Sequence, residues 1–182
     1  MRGRIPEELI LAIYATSKGF AFVLFEGPES PFDWGVRDIR NPSRNRKCVE
    51  AIEKLIEQYQ PGILVIEDTS DRLSRRTARI RRLYQSLTHL AKANVIDVYR
   101  CPKDAIRKTF GSVGASTKYE IAQAIARQIP AFSIRLPRVR KPWMSQDSRQ
   151  SLFDAAALAM QYYETLSPYK DELDLGNKGN ST

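Results

Sequence analysis

A chain of 182 residues with 42% hydrophobic and 27% charged side chains is long enough to bury a core of its own and has a globular composition. It carries a formal charge of +8 and a pI of about 9.6, with +9 on the body before Ser167 and −1 on the polar stretch after it, so a polyanion, nucleic acid before membrane, is the expected partner. Two distant cysteines, Cys48 and Cys101, exclude a zinc ribbon or a disulfide framework. The absence of a signal pattern and of any eighteen-residue apolar run sets the expectation of a cytoplasmic protein with no membrane association.

In chain order, Leu9–Tyr14 and Phe20–Phe25 are apolar runs parted by the small-residue turn Ala15-Thr16-Ser17-Lys18-Gly19. Asp33–Ile39 alternates in part, and the three together read as an antiparallel meander. Asn41-Pro42-Ser43 supplies a breaker and cap for a helix in which Cys48, Ala51, Ile52, Leu55, Ile56 and Tyr59 share one face. Pro61-Gly62 then leads into Ile63–Ile66, a buried strand closed by Glu67 and Asp68. Taken alone, two acids there either end the strand in solvent or line a site at the carboxyl rim of a sheet, where ligands collect in α/β folds.

Residues 72–82 hold six arginines and no acid. A helix reaching from this run to about Ala93 places Arg72, Arg75, Arg76, Arg79 and Arg82 on one face, away from the apolar stripe of Ile80, Leu83, Leu87 and Leu90. A solvated face usually mixes signs, so this one suits phosphate contact ahead of the alternative, a plain surface face. Val95–Arg100 is a fifth strand, Pro102–Phe110 a helical stretch, and Thr117–Glu120 a capping box opening a helix to Ile129. Glu120 is therefore a cap before it is a ligand. Ser133–Trp143 reads as a basic loop, with Arg135, Arg138, Arg140 and Lys141 beside a tryptophan, suited to a nucleic-acid backbone or to plain solvent. The last helix, from about Asp147 to Thr165, carries Asp154 as the one acid of LFDAAALAMQYY, and a carboxylate on so apolar a segment needs a partner or a metal. Asp147 falls two turns earlier on the same face, though Asp147–Gln150 also has the pattern of a cap. His89 has no partner cysteine or serine and reads as surface or packing.

Three strands, helix, strand, helix, strand and helices, with VIED on the fourth strand and FDAAALA on the last helix, resemble the RuvC family of Holliday-junction endonucleases. The stretches GFAFVLFEGP, DWGVR, TKYEIA and RKPWMS add to the likeness, which runs from about Leu9 to Tyr163. The resemblance implies an RNase H-like α/β domain over residues 1–166, a five-stranded mixed sheet flanked by helices, while the polar, Gly/Asn-rich composition of residues 167–182 reads as a disordered tail. The resemblance also implies a dimer that hydrolyses branched DNA with Mg2+ or Mn2+, Glu67 and Asp154 being ligands and catalytic groups and Asp147 a possible substitute ligand. Lys118, in TKYEIA, joins the arginines, Arg138, Arg140 and Lys141 as a DNA contact. Two positions depart from the pattern. Tyr14 stands where the family's first-strand aspartate is expected, and Ser151 one turn before Asp154 where another is usual. A neutral phenol is a poor ligand for a hard cation. Reduced cleavage follows, and an inactive DNA-binding module on the same fold is the alternative. An ATPase or sugar-kinase relative is the weakest reading, since the turn ATSKG lacks the acid those proteins use.

Overall fold

A computed structural model describes residues 8–70, 74–141, 143–145 and 147–167. Strands β1 (Ile10–Ala15), β2 (Gly19–Gly27) and β3 (Ser30–Asp38) form the expected meander, with Ile10 opposite Phe25 and Ala15 opposite Phe20. Helix α1 (Arg44–Tyr59) crosses over to β4 (Ile63–Glu67), which pairs parallel with β1. Helix α2 (Ala78–Ala93) leads on to β5 (Asp97–Cys101), parallel to β4, and the strand order is β3-β2-β1-β4-β5. This is the five-stranded mixed sheet that the strand-helix-strand order dictates, because parallel neighbours need a crossover.

Both faces of the sheet are covered, which is why its central strands are apolar without alternation. Leu11, Ile13, Phe20, Phe22, Leu24, Leu64 and Ile66 face α1 and α2, where Cys48, Ile52, Leu55, Leu83 and Leu87 meet them. Ala12, Val23, Phe25 and Val65 face the other way, toward α5 (Gln150–Thr165) and α4 (Lys118–Gln128). Ala155, Ala156, Ala157 and Ala159 bring the α5 backbone close to the sheet, and all are buried. A short helix α3 (Lys103–Gly111) precedes α4. Both cysteines are free and buried, as their places in the apolar pattern require.

Several boundaries differ from the sequence reading. Helix α2 begins at Ala78, not within the arginine run, because the Thr77 hydroxyl caps it by accepting from the Ile80 N–H. Arg75 and Arg76 therefore precede the helix, and Arg72 lies outside the described residues. Strand β5 begins at Asp97, since Val95 takes a left-handed turn with φ 58°. The last helix begins at Gln150, which takes Asp147 out of it and ends the argument that Asp147 and Asp154 share a helical face. Residues Pro130–Arg135 form a 3-10 helix, which takes in the first three residues of the expected Ser133–Trp143 loop and leaves the rest of it irregular among the described residues. The polar stretch from 168 to 182 lies outside the described residues.

The β1–β2 turn is tied down at every carbonyl. Arg79 Nη2 donates to Thr16 O (2.6 Å), Arg44 Nη1 to Ser17 O (2.8 Å) and the Ile39 N–H to Lys18 O (2.8 Å). Gly19 closes the turn by donating to the Thr16 hydroxyl at 2.9 Å. A β-carbon at Gly19 would lie 1.9 Å from the Arg37 carbonyl oxygen, so only glycine lets β3 approach there.

Candidate functional site

The carboxyl ends of β1 and β4 lie side by side in the sheet, and α5 crosses the face above them. Tyr14 from β1, Glu67 from β4 and Asp154 from α5 are thereby gathered at one rim, and two cations join them. Arg76 donates through Nε to Glu67 Oε2 at 3.0 Å and through Nη2 to the same oxygen and to Ala15 O (2.7 Å). Lys118, the first residue of α4, donates from Nζ to Asp154 Oδ2 at 2.8 Å and to the Tyr14 hydroxyl at 3.1 Å. The Tyr14 ring lies in cation–π range of both, 4.7 Å from the Arg76 guanidinium carbon and 5.2 Å from the Lys118 ammonium. Gln150 Nε2 supports the arrangement by donating to Lys118 O at 3.2 Å.

Tyr84 completes it from below. Its hydroxyl donates to Glu67 Oε2 at 2.6 Å and accepts from the Ala15 N–H at 2.9 Å. Tyr84 lies on the buried stripe of α2, where a phenol is retained only if its oxygen finds partners. That stripe is visible in the sequence; the partner is not. Tyr84→Phe leaves a buried N–H and a carboxylate short of one bond each, and is expected to cost about 2 kcal/mol in urea unfolding. A loss under about 0.5 kcal/mol would show that water replaces the hydroxyl.

The electrostatics follow from these pairs. Burial, then the Asp154 charge, raise the Tyr14 pKa above its ordinary value, so the phenol is neutral at pH 7. Burial disfavours the Arg76 cation, but Glu67 with Tyr14 and Tyr84 outweighs it and holds the pKa above the arginine norm. Lys118 behaves alike: burial lowers its pKa, and Asp154 with Tyr14 more than restores it. Two carboxylates, two cations and a neutral phenol sum to zero.

A two-metal centre does not fit this donor set. Such a centre needs several anionic oxygens converging on each ion. Among the described residues no three Asp, Glu, His or Cys side chains are placed to hold one. Asp147 does not supply the missing acid: it accepts from Arg149 Nη2 (2.6 Å), Nε and backbone N–H, and those bonds hold its carboxyl below the usual range. Asp68 turns to its own loop, accepting from the Ser70 N–H (2.9 Å) and hydroxyl (2.6 Å). Ser151, in the other departing position, is buried and donates to Ser148 O at 2.6 Å. Glu120 is the cap its sequence suggests, with both halves of the capping box formed.

The expected phosphate contacts divide. Arg76 is spent on Glu67, and Arg79 on Thr16 O and on Asn45 Oδ1 (2.9 Å), so both act inside the protein. Arg75 and Arg82 are exposed, as are Arg138, Arg140 and Lys141 on the connection that enters α5. Lys118 pairs with Asp154 while its side chain stays about half exposed.

No protein-family model matches this sequence, and no curated protein matches it. Solved structures do match in shape. Thermus thermophilus RuvC is 15% identical, with a TM-score of 0.62 over 85% of this chain and 93% of that one. The same bacterium's RuvC in complex with a Holliday junction substrate is 13% identical, with a TM-score of 0.63 over 88% and 96%. The yeast mitochondrial Holliday junction resolvase Ydc2 is 17% identical, with a TM-score of 0.63 over 94% and 85%. The fold is thus the RuvC-like form of the RNase H-like fold.

Proposed function

We propose that this protein binds branched or otherwise structured DNA on a RuvC-like scaffold, and that its rim cluster holds the scaffold together instead of cutting the strand. The observation that carries this reading is the pairing of Glu67 with Arg76 and of Asp154 with Lys118. The acids expected to attract metal ions already have their counter-charges, supplied by the chain itself. The exposed Arg75, Arg82, Arg138, Arg140 and Lys141 leave the positive potential that a DNA backbone needs. That RuvC has been solved on a Holliday junction is the support for a branched ligand in preference to plain duplex.

The second reading, a metal-dependent endonuclease, rests on Glu67 and Asp154 sharing one rim with the basic surface around it. One experiment separates the two. A four-way junction is titrated in EDTA and in Mg2+ or Mn2+, with cleavage followed in the same samples. The binding reading expects affinities within about twofold of each other, preference for the junction over duplex, and an intact junction. Cleavage that Asp154→Asn abolishes would establish the endonuclease instead. Neutralising Arg75 and Arg82 to Gln is expected to weaken binding across sequences and to flatten the salt dependence by about 0.9 for each phosphate that is no longer neutralised. An unchanged slope would remove this segment from the interface.

A further inference from the structure

Of the eight large hydrophobic side chains exposed among the described residues, four lie between positions 134 and 144, at the end of the 3-10 helix and on the connection into α5. Ile134, Val139, Trp143 and Met144 are 82%, 66%, 79% and 44% exposed. Residues 134–144 also hold Arg135, Arg138, Arg140 and Lys141 and no acid. An exposed apolar stretch interleaved with cations and holding no acid of its own is matched by a ligand with flat apolar faces and an anionic frame, which is the description of an unpaired nucleotide.

The tip is built to present Trp143. The Met144 N–H donates to Lys141 O at 3.0 Å, and Arg140 Nε donates to Met144 O at 2.6 Å, so the turn is closed from two sides. Behind it Pro137 is buried, and Leu136 packs against the core of the α5 face. Ahead of it Asp147 gathers Arg149 and the Arg138 backbone N–H, which ties the loop to the start of α5. Gln150 follows at once and touches Lys118, so the tip belongs to the same end of the molecule as the rim cluster. The Lys141 ammonium lies 5.5 Å from the Trp143 ring centroid, and the ring keeps most of its surface open.

We propose that Trp143 is a stacking platform for an unpaired base of branched or single-stranded DNA, with Lys141, Arg140 and Arg138 taking the adjoining phosphates. This deepens the DNA-binding reading and rests on it. A held turn loses little freedom when the base arrives, and a tryptophan face accepts any base, so the contact selects unpaired structure and not sequence.

The chain has two tryptophans, and the other, Trp34, is packed 5.1 Å from Phe132, so fluorescence can separate them. Wild type, Trp143→Ala and Trp143→Phe are each titrated with a four-way junction carrying an unpaired thymine at the branch, with the same junction fully paired, and with linear duplex. Binding is followed in parallel by gel mobility. Wild-type emission is expected to be quenched most by the junction with the unpaired base. Trp143→Ala is expected to lose the quench and about tenfold in affinity for that junction, with little change for duplex. Trp143→Phe should keep affinity within about threefold. Junction binding without quenching, or equal affinities for Trp143→Ala and wild type, would overturn the stacking site and leave the DNA-binding reading standing. No binding to any DNA would overturn both. Quenching or a blue shift with anionic vesicles or with rising protein concentration, and none with DNA, would assign the patch to a membrane or to a second copy of the chain and so overturn it too.

Discussion

Arg76→Met is expected to lower the free energy of unfolding by about 3 kcal/mol, the largest loss from any polar substitution at the rim. The side chains of Arg76 and Glu67 are 23% and 22% exposed, so solvent screens the pair only in part. Truncation strands a carboxylate that keeps only the Tyr84 hydroxyl as a donor among the described residues, and it unpairs Ala15 O as well. Lys118→Met removes an equal charge from Asp154, but the lysine side chain is 52% exposed, and the expected cost is about 1 kcal/mol or less. Combining Arg76→Met with Glu67→Gln should recover most of the loss, because the stranded charge is then gone. Urea midpoints at constant slope decide this. Equal costs for Arg76→Met and Lys118→Met would mean that the Glu67 pair is as wet as the Asp154 pair.

The second large effect concerns metal affinity without DNA. Wild type is expected to bind Mn2+ no better than an ordinary acidic surface does. Tyr14→Asp alone should change this little, since the new carboxylate lands between Arg76 and Lys118 and is paired by them. Tyr14→Asp with Lys118→Met should bind more tightly. The triple variant Tyr14→Asp/Arg76→Met/Lys118→Met, with three acids and no cation, should gain about two orders of magnitude over wild type. Free Mn2+ measured by electron paramagnetic resonance gives the affinities, and a Mn2+-dependent rise in melting temperature gives an independent reading. Wild type that binds as tightly as the triple variant would show that the internal cations yield to metal, returning weight to the endonuclease.

Much of the architecture can be read from residue order. Proline and glycine at 61–62, the β-branched run after them and the helical stripes on either side leave few arrangements other than a parallel pair in a covered sheet. The convergence of Glu67 and Asp154 follows from placing each at the end or on the face of a recognisable element. Which cation each acid meets is not legible. Arg76 has the same composition signal as Arg75 beside it, yet one turns in to Glu67 and the other lies exposed. Lys118 is 36 residues from Asp154, and nothing local relates them. Arginines at helical spacing imitate a face and so put the start of α2 too early, while the capping residue Thr77 lies inside the same run and marks the true start. Asp147 misleads for a similar reason: its carboxylate serves the residue two positions on, a short-range bond that looks like a helix cap in sequence and precedes the helix in space.

The clamped turn between β1 and β2 bears on the thermodynamics of any ligand that settles on this end of the protein. With Thr16, Ser17 and Lys18 each giving up a carbonyl to a neighbouring element, the segment has already lost its backbone freedom during folding. Association would therefore draw little further entropy from it, and what a polyanion bound at this edge would gain by displacing counterions would be retained as affinity instead of being consumed in ordering a loop.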